Sequence, residues 1–259
     1  MCIGKNSIQT FKAMGLLSRD RTKVDFPSLR TDLHSHLLPG VDDGAKDPGE
    51  SIELVRSLMD LGYEKIITTP HIYSELYPNS PTTLKPAFEK LKLALEEAAI
   101  GISLRFAAEY FLDDHLDSLL RQNEPLLTIH ENWVLVETSF VQPHPDLDAK
   151  LFKLQVAGYK PILAHPERYA FWHGDKTIFH GFKEKGLLLQ INLLSLTGYY
   201  GKGATEMAKY LLKADLVDLV GTDCHHERHV AALKKGAGEL RKFLDPAIRS
   251  GRLLNFEIT

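Results

Sequence analysis

The stretch Thr31-Asp32-Leu33-His34-Ser35-His36 decides how this sequence of 259 residues is interpreted. It is a short predicted strand that ends in two histidines two positions apart. Side chains at that spacing on a strand point to the same side, so both imidazoles can bind one metal ion. Near the other end of the chain, Asp223-Cys224-His225 repeats the spacing after another apolar run. The two segments predict strands whose carboxyl ends carry metal ligands.

Seven short apolar or β-branched runs predict strands, and patterns with apolar spacings of three and four predict helices between them. Runs that are apolar throughout, such as Ile162-Leu163-Ala164, are typical of a parallel sheet covered by helices. Seven such repeats favour a closed (β/α) barrel of the α/β class, with a doubly wound open sheet as the alternative. The predicted strands are Arg30–His36, Lys65–Pro70, Leu104–Tyr110, Trp133–Thr138, Pro161–His165, Leu187–Leu193 and Leu219–Asp223. The predicted helices are 47–59, 81–99, 146–158, 175–185, 203–214 and 229–243.

Composition and charge indicate a single-domain cytoplasmic enzyme. The net charge of -3 does not favour nucleic acid or an anionic membrane as the main partner. No apolar run reaches the ~18 residues of a membrane span. Two cysteines, Cys2 and Cys224, imply no disulfide framework, which favours a reducing compartment. We expect residues 1–29 to form an N-terminal extension and residues 30–259 to form the domain.

Histidine, aspartate and glutamate recur where the predicted strands end. In a parallel barrel these ends meet at one rim, where active sites lie. Imidazole and carboxylate groups suit zinc, manganese or iron, whereas without cations such a crowd of groups would repel or stay unsatisfied. Each residue alone has an ordinary structural explanation, and Asp42-Asp43-Gly44 first suggests a turn. The candidates at strand ends are His34, His36, His71, Glu109, Glu137, His165, Asp223 and His225.

Several phrases of the sequence resemble the polymerase and histidinol phosphatase (PHP) superfamily, and most closely its capsule-locus branch of manganese-dependent protein-tyrosine phosphatases. The resemblance runs from about Arg30 to near the C-terminus, with the motifs in the family's order. The matching phrases are Asp32-Leu33-His34-Ser35-His36, Pro39-Gly40-Val41-Asp42-Asp43-Gly44, Thr68-Thr69-Pro70-His71, Ala108-Glu109-Tyr110, Ala164-His165-Pro166-Glu167-Arg168 and Thr222-Asp223-Cys224-His225.

This resemblance implies a distorted (β/α)7 barrel with a centre of three divalent metal ions, manganese first, with iron or zinc as alternatives. A further ligand is expected from the fourth strand, where Glu137 and His144 are both candidates. Arg168 and Arg228 are the candidates for holding phosphate. The other implied metal ligands are His34, His36, Asp43, His71, Glu109, His165, Asp223 and His225.

For the mechanism we expect a metal-bridging hydroxide to attack phosphorus in line, with Glu109 bridging two ions. A tyrosyl phenolate, with a conjugate-acid pKa of ~10, leaves with less help from a proton than an alkyl alcohol needs. His226 is either a proton donor or an ordinary loop histidine. Aromatic residues near the strand ends could stack on a substrate ring or fill the core: Tyr73, Tyr77, Tyr110, Phe111, Phe140, Tyr199 and Tyr200.

Three functions remain open from the sequence. The first is a protein-tyrosine phosphatase acting on a phosphorylated bacterial tyrosine kinase of capsule or exopolysaccharide biosynthesis. The second is a phosphatase for a small metabolite such as histidinol phosphate. The third is a metal-binding regulatory module without catalysis. An amidohydrolase is disfavoured, because no lysine ends any predicted strand.

Overall fold

The structure of the protein is a computed structural model, which describes residues 29–258. Strands and helices alternate along most of it. The strands are β1 (Thr31–Asp32), β2 (Lys65–Thr68), β3 (His71–Ile72), β4 (Ser103–Phe106), β5 (Glu109–Phe111), β6 (Trp133–Glu137), β7 (Lys160–Ala164), β8 (Leu188–Asn192) and β9 (Leu219–Gly221). The helices are α1 (Pro48–Leu61), α2 (Pro81–Glu97), α3 (Asp114–Arg121), α4 (Leu147–Val156), α5 (Thr177–Glu184), α6 (Leu193–Leu196), α7 (Gly201–Lys213), α8 (Glu227–Lys235) and α9 (Ala237–Arg249).

All described strand pairs are parallel, and they form two sheets in the orders β1-β2-β4 and β3-β5-β6-β7-β8-β9. Only Thr69 and Pro70 separate β2 from β3, and only Ala107 and Ala108 separate β4 from β5. Two extended segments are therefore each divided between the two sheets. Counted as continuous segments, the nine strands form seven strand paths, as the sequence predicts.

Backbone hydrogen bonds join the first strand path to the last. Ser35 and Cys224 form a parallel bridge. The His36 amide donates to the Cys224 carbonyl at 2.9 Å, and the Asp223 amide donates to the His34 carbonyl at 2.7 Å. This linkage, which we call the seam, completes a ring of seven paths. The distorted (β/α)7 barrel is thus confirmed, and a doubly wound open sheet does not account for the seam.

The strands separate two layers of apolar side chains. Leu135 of β6 faces inward and packs with residues such as Ile67 and Ile162. Its neighbours Val134 and Val136 face outward and belong to the larger core beneath the helices. Because both faces are covered, every residue of β6 is buried. The inner layer closes the barrel below the carboxyl ends of the strands and leaves those ends to polar residues.

Local sequence signals mark both ends of α1. The Asp47 side chain accepts from the Glu50 amide at the start of α1, and Gly62 ends that helix with a φ of 104°. The single helix predicted over 229–243 is wrong, since α8 and α9 meet at Gly236. Glycine has low helix propensity, which favours a break there.

The proposed N-terminal extension lies outside the described residues except for Leu29. That residue is fully buried in the outer core, so it packs as part of the domain. Among residues 29–258, no helix combines the length and the apolar character needed to cross a membrane.

Candidate metal centre

The carboxyl ends of the strands bring together all nine residues predicted as metal ligands. Six of the seven strand paths, or the loops that follow them, contribute one or more. Their ligand atoms form four overlapping groups, and within each group all atoms lie within 4.8 Å of one another. The groups are His36, Asp43, His71 and His225; His34, His36 and Asp223; His34, Glu109 and His165; and His71, Glu109 and Glu137.

Glu109 lies at the centre of this cluster and is fully buried. Its Oε1 lies 3.0 Å from His165 Nε2, and its Oε2 lies 3.2 Å from His34 Nε2. The Oε2 atom is also 3.3 Å from His71 Nδ1. Glu109 therefore contacts members of two groups, which is the placement a bridging carboxylate requires.

Three histidines of the cluster are each oriented by a hydrogen-bond acceptor that faces their Nδ1 atom. A proton held on Nδ1 by an acceptor leaves the Nε2 lone pair free for a metal ion. Two of the acceptors are side chains and one is a backbone carbonyl. The bonds join His34 to Gln190 Oε1 (2.7 Å), His36 to Asp42 Oδ2 (2.8 Å) and His225 to the Asp223 carbonyl (2.9 Å).

The sequence analysis missed the supporting residues Asp42, Gln190 and Asn192. Asn192 donates to Asp223 Oδ2 at 2.6 Å, which fixes that carboxylate. The available signal was a pair of amides two positions apart in the otherwise apolar strand β8. Asp42 stood beside a predicted ligand, in a phrase first interpreted as a turn. That turn is present too, because Asp42 Oδ1 accepts from the Gly44 amide at 3.0 Å.

Two glycines allow the backbone to approach the cluster. A Cβ atom on Gly44 would lie 2.0 Å from the His36 carbonyl oxygen. A Cβ atom on Gly221 would lie 2.7 Å from His34 Cβ and 3.0 Å from Gln190 Nε2. Real side chains do not tolerate such distances, so both glycines are required for the observed positions of the two histidines.

Burial and opposite charges together set the protonation of the cluster. Burial and the charge of His36 oppose protonation of His71, but Glu137 and Glu109 outweigh them and raise its pKa to about 9. Burial likewise opposes ionisation of Glu109, yet the charges of His34 and His71 hold its pKa well below the usual range.

Burial and opposite charges act in the same way on His36. Burial opposes protonation of His36, but the charge of Asp42 and hydrogen bonds to Asp223 and Glu109 raise its pKa well above the ordinary value. In the absence of a metal ion, protonated imidazoles thus balance the negative charge of the carboxylates. A set of buried imidazole nitrogens and carboxylate oxygens, held together by positive charge, fits divalent metal ions.

The structure places Glu137, and not His144, in the cluster. Glu137 Oε1 lies 3.0 Å from His71 Nδ1. His144 Nδ1 instead accepts from the Asp146 amide at 3.0 Å, just before α4. His144 belongs to none of the four groups found among residues 29–258. Of the two candidates from the fourth strand, only Glu137 has the position a ligand needs.

Arg168 lies at the edge of the cluster. Its Nη1 donates to Asp223 Oδ2 at 3.0 Å. Its guanidinium carbon lies 4.6 Å from the ring centre of Phe140 and 4.1 Å from that of Tyr200. The side chain is 24% exposed, so this fixed positive charge remains accessible beside the candidate metal site.

Arg228 and His226 are less closely tied to the cluster. Arg228 is exposed in the first turn of α8, and His226 is the half-buried residue before that helix. Burial, and then the charges of Arg228 and His225, lower the pKa of His226. A lowered pKa disfavours the protonated form that a proton donor needs, so a donor role for His226 has little support.

Comparison with known proteins identifies relatives of this chain. YwqE of Bacillus subtilis strain 168, a tyrosine-protein phosphatase, is 30% identical over 195 residues, which are 75% of this chain and 77% of YwqE. CpsB of Streptococcus pneumoniae, also a tyrosine-protein phosphatase, is 27% identical over 201 residues, covering 75% of this chain and 82% of CpsB.

A solved structure is similar over most of the barrel. It comes from the crystal structures of YwqE and CpsB, described as metal-dependent tyrosine phosphatases. The TM-score is 0.73 at 28% identity, covering 88% of this chain and 95% of the other. Residues 30–248 also match the model of the family described as capsular polysaccharide synthesis, CpsB/CapC. The chain therefore belongs to the CpsB/CapC family.

Proposed function

We propose that this protein is a metal-dependent protein-tyrosine phosphatase of capsule or exopolysaccharide biosynthesis. The observation that carries the proposal is the convergence of nine histidine, aspartate and glutamate residues into four overlapping groups at one rim. The relatives YwqE and CpsB are tyrosine-protein phosphatases, which favours phosphotyrosine over a small metabolite. A near-complete ligand set also disfavours a regulatory module that has lost catalysis.

The cofactors we propose are three divalent ions, with manganese first and iron or zinc as alternatives. Neighbouring groups share residues, so four groups cannot each hold an ion with its own ligands. His34, for example, occurs in two groups but has only Nε2 available, because Nδ1 bonds to Gln190. The cluster should therefore bind fewer than four ions. The proposed ligands are His34, His36, Asp43, His71, Glu109, Glu137, His165, Asp223 and His225.

When bound, the ions neutralise phosphoryl oxygens and activate water as a nucleophile near neutral pH. Glu109 holds two groups of the cluster together through its two oxygens. Arg168 presents a guanidinium group to the phosphate from a position fixed by Asp223. Arg228, on an exposed turn beside His226, is a second candidate for contact with phosphate. The phenolate product leaves with little help from a proton.

The phosphorylated partner we propose is a bacterial tyrosine kinase of the same biosynthetic system, in the cytoplasm. The family description, capsular polysaccharide synthesis, supports this assignment. We also assign the catalytic barrel to residues 30–259, with Leu29 packed in its core, and an N-terminal extension to the residues before Leu29.

The decisive experiment measures metal content and phosphotyrosine-peptide hydrolysis on one purified sample with added manganese. We expect bound metal and hydrolysis in the wild type, and loss of at least 100-fold in activity for His36→Ala, since removing a ligand should cost no less than the roughly 10–100-fold typical of supporting residues. His180→Ala, which changes an exposed histidine on α5, is the matched control and should behave like the wild type.

Each alternative predicts a different result. Hydrolysis of histidinol phosphate without hydrolysis of phosphotyrosine peptides would identify a metabolite phosphatase. Bound metal without either activity would indicate a regulatory module. Full activity in His36→Ala would show that the proposed metal site is not the site of reaction.

A further inference from the structure

The aromatic residues considered as partners of a substrate ring differ in accessibility. Tyr110 is buried, and its hydroxyl accepts from the Leu127 amide at 2.9 Å. Tyr73 stacks on Phe111, with the ring centres 4.0 Å apart. These side chains already have partners within the fold. Among the seven, Phe140 and Tyr199 are the ones with large exposed fractions, at 45% and 42%.

Of these two exposed rings, Phe140 is the one that contacts the site. It follows Glu137 by three positions, in the loop after β6. Its ring stacks on His165, with the centres 5.4 Å apart and the planes 25° apart. The guanidinium carbon of Arg168 lies 4.6 Å from its ring centre. Phe140 therefore lies beside both a proposed metal ligand and the proposed phosphate-binding arginine.

Tyr199 has different neighbours. Its ring meets those of Tyr200 and His229 edge to face, at 5.2 Å and 4.9 Å. Neither of those residues belongs to the four ligand groups. Exposure alone does not separate the two rings, but contact with the site favours Phe140.

We propose that Phe140 determines specificity by packing its exposed ring against the aryl group of the phosphotyrosine substrate. This inference rests on the proposed function. With the phosphoryl group between the metal ligands and Arg168, the first atoms of the leaving group lie at the rim, where Phe140 is exposed. Aromatic rings gain more from stacking than from apolar contact alone. An alkyl phosphate lacks that contact, so the site prefers aryl phosphomonoesters.

A different role would be to hold Arg168 in place. In that case loss of Phe140 would weaken every phosphate ligand to the same degree, because all of them use the arginine. Preference for an aryl group separates the two roles. Phosphonates suit this test because their P–C bond is not hydrolysed, so binding is measured directly.

The experiment titrates the manganese-loaded protein with phenylphosphonate and with methylphosphonate by calorimetry. For Phe140→Ala we expect phenylphosphonate to bind roughly 5- to 10-fold more weakly, the size of one aromatic contact. Methylphosphonate binding should change by less than about twofold. Phe140→Tyr keeps a ring and should restore the preference. Phe152→Ala, at a phenylalanine of α4 that is 63% exposed, is the matched control.

Equal weakening of both phosphonates in Phe140→Ala would overturn the proposal in favour of support for Arg168. An unchanged preference in Phe140→Ala, or a preference lost only in Tyr199→Ala, would also overturn it. Hydrolysis of a phosphotyrosine peptide by the wild type is measured alongside. If that activity is present while the preference does not depend on Phe140, this inference fails and the proposed function stands. If that activity is absent, the proposed function itself fails.

Discussion

At the scale of single residues, Gln190 shows how the barrel prepares a ligand. Its Oε1 lies 2.7 Å from His34 Nδ1. Its Nε2 donates to the Ile191 carbonyl at 2.7 Å and to Asn192 Oδ1 at 3.0 Å, which fixes the orientation of the amide. Because an acceptor faces Nδ1, the neutral His34 ring keeps its proton there, and its Nε2 then points a lone pair at the cluster.

We expect Gln190→Ala to lower metal affinity and phosphatase activity by about 10- to 100-fold, because His34 loses the partner that sets its tautomer. Metal titration and peptide hydrolysis measure the two effects. Gln155→Ala removes a glutamine that bonds to the Lys185 carbonyl between outer helices, so it serves as the control. Equal behaviour of the two variants would show that Gln190 does not support the site.

The sequence could predict which residues gather in the cluster but not the residues that support them. His34, Glu109 and Asp223 each end a predicted strand, and the barrel brings all such ends to one place. Gln190 lies inside a strand, and its role depends on the fact that His34 lies opposite. That distance across the barrel is set by strand register and by the absence of a side chain at Gly221. Neither can be obtained from local patterns.

At the scale of elements, a buried lysine ties α3 to α4. Lys150 of α4 is only 2% exposed. Its Nζ lies 3.1 Å from Asp117 Oδ2 of α3 and 2.9 Å from the Asp113 carbonyl before that helix. Lys153, one turn of helix further along α4, also pairs with Asp117 at 2.8 Å. The two helices are thus joined by charge as well as by apolar packing.

We expect Lys150→Ala to lower the free energy of unfolding by about 2–3 kcal/mol. Breaking a buried ion pair costs about 3–5 kcal/mol, and the remaining Lys153 reduces that loss. Lys185→Ala, which breaks an exposed pair with Asp148, should cost less than about 1 kcal/mol. Urea unfolding measures both. Similar losses in the two variants would contradict a special role for the buried pair.

The sequence predicted some helices and strands correctly and missed others. The helix predicted over 81–99 is observed as Pro81–Glu97, where Ser80 and Thr83 form a capping box that the sequence carries locally. Helix α3 has no predicted counterpart, because it is a short helix of eight residues with only two buried ones. The second strand path (β2 and β3) and the third (β4 and β5) are each divided between the two sheets, and this division was not predicted either. It depends on the neighbouring strands, which local periodicity does not report.

At the scale of the whole molecule, the cluster links stability to pH and metal. The pKa of His71, raised to about 9, means that its proton stabilises the metal-free fold. That contribution is fully present below the unfolded value of ~6.5 and is lost as pH rises through about 9. Divalent ions need neutral histidines, so ions bound here would replace these protons.

We therefore expect the melting temperature of chelator-treated protein to fall by several degrees between pH 6.5 and 8.5, a loss of roughly 1–3 kcal/mol. The manganese-loaded protein should lose much less, because bound ions supply the balancing charge. Thermal unfolding of both forms across this range measures the difference. Parallel pH dependence of the two forms would contradict the proposed exchange of protons for metal.

The seam also has a consequence for protein synthesis. Asp32 accepts a hydrogen bond from Thr222, which lies 190 positions later in the chain. At typical translation rates of roughly 5–20 residues per second, His34 and His36 wait about 10–40 s for Asp223 and His225 to be made. The growing chain cannot assemble its complete set of ligands before the last strand leaves the ribosome. A chain that ends before Asp223 therefore lacks two of the proposed metal ligands, Asp223 and His225.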